Sequence, residues 1–543
     1  MSNWRELADP KICLVFVGLI VVACLPIWSV TNFLGQDEPS HLHSASMMFD
    51  LLRNNASHGG FYMLRPAFIP NSLGHWVLAV LMLVFSPIVA GKLLVTFCYA
   101  GVVASIGWLR WAMRGRDGVI TALLIGAVLG LNWFWLVGLY NFLIGVIVFV
   151  IVTGFLYRWD GEINWWRFVL LAVLFLAGYF SHLVSFAVTV MAAMIFVLLK
   201  PGIAKLRSLT WMTIALVPVL LLAVAYKLMS EGGGKYSLKW YVLDAPLSFS
   251  SVLLHLRTTD GFQIISRRFI PFSDSVSPLN MFASPIIWIM IVFVLLAVGT
   301  HFALYDGANG WRKYFPHLAA MAAVMILALV SPDEFGAEQG SVLRPRLLLC
   351  GLVLFVPLFS VSSRPKILKA VQIILIAVFA YQVTALWEYS LKVNRETIQF
   401  LKAANAIDAA SPIASVVILN DQPRFHSNPL MRADNLLGIG RDNVVWDNYE
   451  TGYYFFPVIA ADSKDRDFIR EYSGSNSFQL QYADEDFDAK FWRLESSLAA
   501  NHDKIKTLVV WGQNTRIDEL VNRWFETTPY FEDGNIRIYR SRP

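Results

Sequence analysis

Long apolar runs alternate with short polar linkers as far as about residue 390, where the pattern changes. The first run covers 12–30. Others follow at 73–85, 93–109, 119–136, 142–156, 168–180, 183–199, 209–228, 285–304, 315–330, 347–359 and 367–387. Runs approaching 20 residues suit helices that cross a bilayer. Between the first two runs lies a polar excursion, residues 31–71. Within it Leu42, Ala45, Phe49 and Leu52 recur at three- and four-residue steps, predicting an amphipathic helix in the interface plane. A longer mixed stretch, 230–284, contains three consecutive glycines, Gly232 to Gly234, which read as a linker rather than a phosphate cradle.

From about Glu388 apolar runs shorten to strand length. Residues 414–419, 444–446, 507–511 and 536–539 are β-branched and aromatic, as strands are. Helices are expected over 488–498, capped by Asp488, and over 516–525. Asp533-Gly534 signals a hairpin turn. The predicted fold is mainly α: a polytopic transmembrane bundle of about 11–13 helices, with interfacial helices in the first external loop and a small C-terminal α/β domain. The expected division is residues 1–390 for the membrane part and 391–543 for the external domain.

Composition supports this reading. Of 543 residues 56% are hydrophobic and 15% charged, and the mean hydropathy is +0.54, which excludes an ordinary soluble chain. The net charge of +5 is small for the length and lies mostly in linkers, so nucleic acid is not an expected partner. The four cysteines, Cys13, Cys24, Cys98 and Cys350, lie in or beside apolar runs without ligand spacing and read as small buried hydrophobes. Arg5 and Lys11 precede a first run too long for a signal peptide, which predicts a retained helix.

Basic linkers at Arg110/Arg114/Arg116, Arg158/Arg167, Lys200/Lys205/Arg207, Arg312/Lys313 and Arg364/Lys366/Lys369 mark one side as cytoplasmic. The N-terminus falls on that side, and the 31–71 loop and C-terminal domain fall outside. This requires an odd number of crossings in 72–111, where two apolar runs are visible.

The candidate chemistry starts at Asp37-Glu38-Pro39-Ser40-His41-Leu42-His43. Proline favours the first position of a helix, so Glu38 is the expected N-cap, with both acids at the positive end of the dipole. His41 lies one turn beyond Asp37. Tyr140, Asn141, His182, Arg267, Arg268, Glu334 and Arg344 fall on the same predicted side, near helix ends. His182 is either a structural histidine or a polar group reaching an external cavity. Tyr140 and Asn141 either cap a helix or line that cavity. Arg344, Arg267 and Arg268 either anchor the interface or bind an anion such as phosphate. His41 and His43 could join the acids around a divalent metal, but no third ligand is evident and no metal is assigned. Walker A, zinc-signature and Gly-x-Ser-x-Gly patterns are absent.

The order of first helix, Asp37-Glu38 motif, interfacial helix from Pro39, helical bundle and external C-terminal domain resembles the GT-C superfamily of integral-membrane glycosyltransferases. The Asp-Glu-Pro-x-His pattern is loosely similar to the protein O-mannosyltransferase and aminoarabinose transferase group. The resemblance implies a polyprenyl-phosphate-sugar donor and a glycan, lipid or protein hydroxyl acceptor. It also implies Asp37 as general base, with Glu38 supporting it or binding the sugar. His182, Arg267, Arg268 and Arg344 come from charge and side, not from a family motif. A transporter or flippase for lipid-linked saccharides, or an accessory protein of polysaccharide assembly, would use a similar cavity without a base. A bacterial inner membrane is the expected location.

Overall fold

The computed structural model describes residues 9–53, 60–66, 68–158, 165–201, 204–229, 307–331, 342–359, 365–419, 425, 427–474, 479–481 and 487–542. Arg267, Arg268, Glu334, the glycines 232–234 and the apolar run 285–304 lie outside them.

The apolar runs form helices α1 (Pro10–Trp28), α3 (Leu73–Leu81), α4 (Pro87–Arg114), α5 (Val119–Gly130), α7 (Tyr140–Arg158), α8 (Trp165–Ser181), α9 (Leu183–Leu199), α10 (Lys205–Met229), α11 (Gly307–Val330), α12 (Leu343–Phe359) and α13 (Pro365–Ala404). Two shorter helices join them, α2 (Glu38–Leu52) and α6 (Trp133–Val137). Among the described residues, α1, α4, α7, α10 and α13 are long and apolar enough to cross a membrane. Their bare apolar faces fit that role. Leu14 and Val17 of α1, Leu221 and Leu228 of α10, and Ile373 and Ile376 of α13 are all exposed, as lipid-facing side chains are. Trp165 and Trp166 are exposed at the start of α8, where aromatic residues favour the headgroup level.

The two runs in 72–111 differ in kind. α3 has nine residues, about 14 Å of helix at the usual rise and under half a hydrocarbon core. α4 has 28 residues. Of these two, α4 is the one long and apolar enough to cross a membrane. The run 119–136 is broken between α5 and α6, where Asn132 takes over backbone partners. Its amide donates to the Leu129 carbonyl at 2.8 Å and its oxygen accepts the Trp135 N–H at 3.0 Å.

The described residues cluster into two compact units. One comprises residues 1–25, 96–135 and 139–385, and the elements described in it are helices. Within it α7 packs on α8 and α9, α9 on α11 and α12, and α11 on α12.

The other comprises residues 26–95, 136–138 and 386–543. Its centre is a five-stranded sheet in the order β4-β2-β5-β7-β6, formed by β2 (Ile413–Leu419), β4 (Gln479–Gln481), β5 (Thr507–Trp511), β6 (Phe531–Asp533) and β7 (Ile536–Arg540). β2 runs parallel to β4 and β5, while β7 is antiparallel to β5 and β6. β5 is buried at every residue, as a strand covered on both faces should be. Helices α14 (Ser463–Gly474), α15 (Phe487–Asn501) and α16 (Thr515–Trp524) accompany the sheet. Ile469, Leu494, Leu498, Ile517 and Leu520 join its core. Asn514 starts α16, its side chain accepting the N–H groups of Arg516 and Ile517. The expected strand 444–446 is reduced to one parallel bridge, Val445 to Ile413. A two-stranded antiparallel pair joins β1 (Tyr62–Leu64) to β3 (Val458–Ala460), fastening the first loop to the C-terminal region.

Helix α2 is buried on every side from Glu38 to Met48. It packs on α3 and on the 3-10 segments Pro429–Leu437 and Tyr449–Gly452. Its apolar stripe therefore accounts for only part of its packing, and its polar residues are enclosed as well.

Candidate functional site

The approach to α2 is held by several unlike contacts. Asn32 donates twice: its backbone N–H to the Asn394 side-chain oxygen at 2.8 Å, and its amide to Thr397 Oγ1 at 2.7 Å. Tyr389 donates its hydroxyl to the Leu34 carbonyl at 2.9 Å. The N–H groups of Gln36 and Asp37 donate to the carbonyls of Leu136 and Val137 at 3.3 and 2.8 Å. Gly138 completes that strap with a φ of +103°, and a Cβ there would lie 3.3 Å from the Glu38 nitrogen. Only glycine gives both the backbone turn and the close approach without strain.

Asp37, not Glu38, is the N-cap of α2, because its carbonyl accepts the first helical bond, from the His41 N–H at 3.2 Å. Pro39 thus sits second in the helix rather than first, still among the N–H groups that no helical carbonyl reaches. The Asp37 side chain makes no capping bond. The two acids then diverge. Glu38 is 1% exposed. Its Oε2 accepts the Gly35 N–H at 2.8 Å, and its carboxylate lies against Gly91. Asp37 keeps partial exposure among buried charged groups. Burial raises its carboxyl above the usual range, against the opposing pull of His41 and Arg432.

Beyond Asp37 lies a buried trio. His41 Nδ1 is 2.5 Å from Glu450 Oε1, and His75 Nε2 is 3.0 Å from Glu450 Oε2. His41 Nε2 is 3.0 Å from the Gly138 carbonyl. The two rings stand edge to face, 5.1 Å between centroids. Burial opposes charge on His41, but Glu450, Asp37 and the Gly138 carbonyl outweigh it and lift the ring to about 9. Burial would raise Glu450, but the His75 and His41 rings hold it below the usual carboxylate range. His43 does not join. Its Nδ1 lies 3.3 Å from Asn435 Oδ1 and 3.2 Å from Asn448 Nδ2.

A second charged group adjoins. Arg432 donates to Asp447 Oδ1 at 2.5 Å and to the Ser473 carbonyl at 3.3 Å, with its guanidinium 4.9 Å from the Tyr449 ring centroid. Asp434 Oδ2 accepts the Ser415 hydroxyl at 2.9 Å.

The remaining candidates lie in the helical unit. Tyr140 and Asn141 open α7 and His182 is the N-cap of α9, its Nδ1 accepting the Val184 N–H at 3.2 Å. Arg344 opens α12 and is 2% exposed, its Nε donating to the Ser331 carbonyl at 2.6 Å. Its neighbour Arg346 is the one that meets His182, Nη1 to Nε2 at 3.0 Å. Both flank Phe142: the His182 ring is 5.4 Å from its centroid and the Arg346 guanidinium 5.6 Å. The N-termini of α7, α9 and α12 therefore meet around one aromatic ring.

His75, Glu450, Arg432 and Arg346 were not expected as site residues. His75 had a signal, being the ionisable residue of the apolar run 73–85. Arg346 stood beside a chosen arginine. Nothing local marks Glu450 in Asn448-Tyr449-Glu450-Thr451.

No known family profile matches the chain, and no curated protein sequence matches it. Solved structures resemble it loosely. ArnT from Cupriavidus metallidurans bound to undecaprenyl phosphate aligns over 97% of both chains at 13% identity, with a TM-score of 0.44. The archaeal oligosaccharyltransferase AglB from Archaeoglobus fulgidus, in complex with an inhibitory peptide and a dolichol-phosphate, aligns over 94% of this chain and 70% of its own at 11% identity, TM-score 0.44. The arabinofuranosyltransferase AftD from Mycobacteria aligns over 97% of this chain and 41% of its own at 14% identity, TM-score 0.47. Likeness at this level assigns neither a substrate nor a reaction to this chain.

Proposed function

We propose that this chain is an integral-membrane glycosyltransferase of the GT-C kind. It moves a sugar from a polyprenyl-phosphate-linked donor to a hydroxyl acceptor at the outer face, with Asp37 as general base. The observation that carries the reading is the placement of Asp37. It is a partly exposed carboxyl, raised by burial toward working pH and fixed at a helix start between the charges of His41 and Arg432. A base works best when its pKa approaches the operating pH. Glu38, buried against Gly91 and Gly35, fixes the turn and leaves the chemistry to its neighbour.

The phosphate end has its own support. Three helix N-termini with Arg346 among them make a setting suited to an anion, through the dipoles and a guanidinium fork. Asp37 takes the acceptor proton as the acceptor oxygen attacks the anomeric carbon. The bond to phosphate breaks, and the departing phosphate oxygen keeps the bonding electron pair. Attack opposite the phosphate inverts the anomeric centre. The basic linkers favour a cytoplasmic N-terminus and an external C-terminal domain, as in a bacterial inner membrane.

The test is reconstitution of the full chain in sealed lipid vesicles with a panel of polyprenyl-phosphate sugars and glycan, lipid or peptide acceptors. Release of polyprenyl phosphate coupled to glycosidic bond formation is expected. Intact donor crossing a sealed vesicle without bond cleavage would instead establish a flippase.

A further inference from the structure

We propose that His41, His75 and Glu450 bind a divalent metal ion of zinc character that cross-links the unit carrying Asp37. The three side chains each offer a ligand atom, and these atoms lie within 4.8 Å of one another. They come from α2, α3 and the 3-10 segment Tyr449–Gly452. All three are buried, with exposures of 8% for His41, 1% for His75 and 0% for Glu450. Such a gathering of two imidazoles and a carboxylate away from solvent is a donor set with the softness and number that zinc and its neighbours accept.

The surrounding geometry agrees. His41 presents Nδ1 to the cluster and Nε2 to the Gly138 carbonyl at 3.0 Å. A ligating histidine characteristically gives its other N–H to such a carbonyl, which fixes the tautomer and the ring plane. Glu450 faces His75 through both oxygens, at 3.1 and 3.0 Å, and so can bind through one or two. Ligands about 2 Å from a tetrahedral ion stand about 3.3 Å apart. The His75–Glu450 spacing is near that value already. The His41–Glu450 spacing of 2.5 Å opens by under about 1 Å. The proton between His41 Nδ1 and the carboxylate is the species the cation replaces, and it leaves to solvent. Magnesium and calcium prefer all-oxygen shells and fit this set poorly.

The role is structural. None of the four cysteines lies in residues 26–95, 136–138 or 386–543, so no disulfide can fasten this unit. A metal supplies the cross-link instead. It ties α2 to α3 and to the C-terminal segment one turn from Asp37, holding that carboxyl in place without touching the substrate.

The experiment uses the full chain with a tag that contains no histidine, stripped with EDTA and dialysed against Zn²⁺, Co²⁺ or Mg²⁺. Elemental analysis should find about one zinc or cobalt per chain and no retained magnesium, and bound cobalt should give the visible absorption of a low-coordinate site. Glu450→Gln and His75→Gln should lose the metal, while His502→Gln, a half-buried histidine of the same unit outside the cluster, should bind as the parent does. Zinc should raise the melting temperature of the parent and leave Glu450→Gln unmoved. A folded parent without stoichiometric zinc or cobalt overturns the proposal, as does Glu450→Gln or His75→Gln retaining the metal. Should both variants fail to fold, the stoichiometry and thermal shift of the parent decide it. Neither readout depends on glycosyl transfer.

Discussion

Glu450 Oε1 lies 2.5 Å from Nδ1 of His41, across 409 positions of sequence. The contact joins the helix that begins at Asp37 to a segment deep in the C-terminal region, so the acidic motif is held by residues contributed long after it.

Gly91 leaves room for the Glu38 carboxylate, which a Cβ at that position would strike. Gly91→Ala should lower stability by about 1–3 kcal/mol, the usual cost of overpacking a tight interior. It should also reduce transfer, because Glu38 sets the turn that presents Asp37. Thermal unfolding in detergent checks the first effect. An unchanged melting temperature would show that the close approach is not constraining.

Asp434 and Asp447 are both pushed up by burial, against the pull of Arg432. Each carboxyl therefore holds its proton to a higher pH than in the unfolded chain, where carboxyls release it near about pH 4. A carboxyl raised in the folded state contributes stability below its unfolded pKa and loses it as pH rises through the folded value. Stability of the parent should therefore decline as pH rises from mildly acidic to neutral. Asp434→Asn removes one titrating partner, so its melting temperature relative to the parent should improve between pH 5 and 8. A difference that does not vary with pH contradicts the raised carboxyl.

Arg346→Gln should weaken binding of polyprenyl phosphate about 10- to 100-fold, which corresponds to about 1.5–3 kcal/mol for hydrogen bonds to a charged group. Binding of the neutral polyprenol should not change. Displacement of a labelled lipid measures both. Equal affinity of parent and variant for the phosphate would remove Arg346 from the phosphate site.

Much of the helical framework was legible in the residues. α9 occupies 183–199, the apolar run read from the chain, because His182 and Lys200 end that run at the same places where the backbone stops. α13 extends well past its apolar run of 367–387, to Ala404. Hydropathy falls there, yet Tyr389, Val393 and Phe400 stay buried at helical spacing while charged residues take the other face. The central strand β5 was readable for its β-branched run, whereas β4 has only three residues. Asp37 and His41 were visible as neighbours one turn apart. His75 stood out only as the ionisable residue of an apolar run, and its pairing with Glu450 was not visible, since contacts between residues 375 positions apart leave no local pattern.

The central claim is that Asp37 is the base. Single-turnover transfer by Asp37→Asn, measured with donor bound at saturation, tests it most directly. A loss of at least about 100-fold in rate is expected, the lower range for removing a general base, with donor affinity within a few-fold of the parent. Transfer by Asp37→Asn at the parental rate, with donor bound equally well, would contradict it.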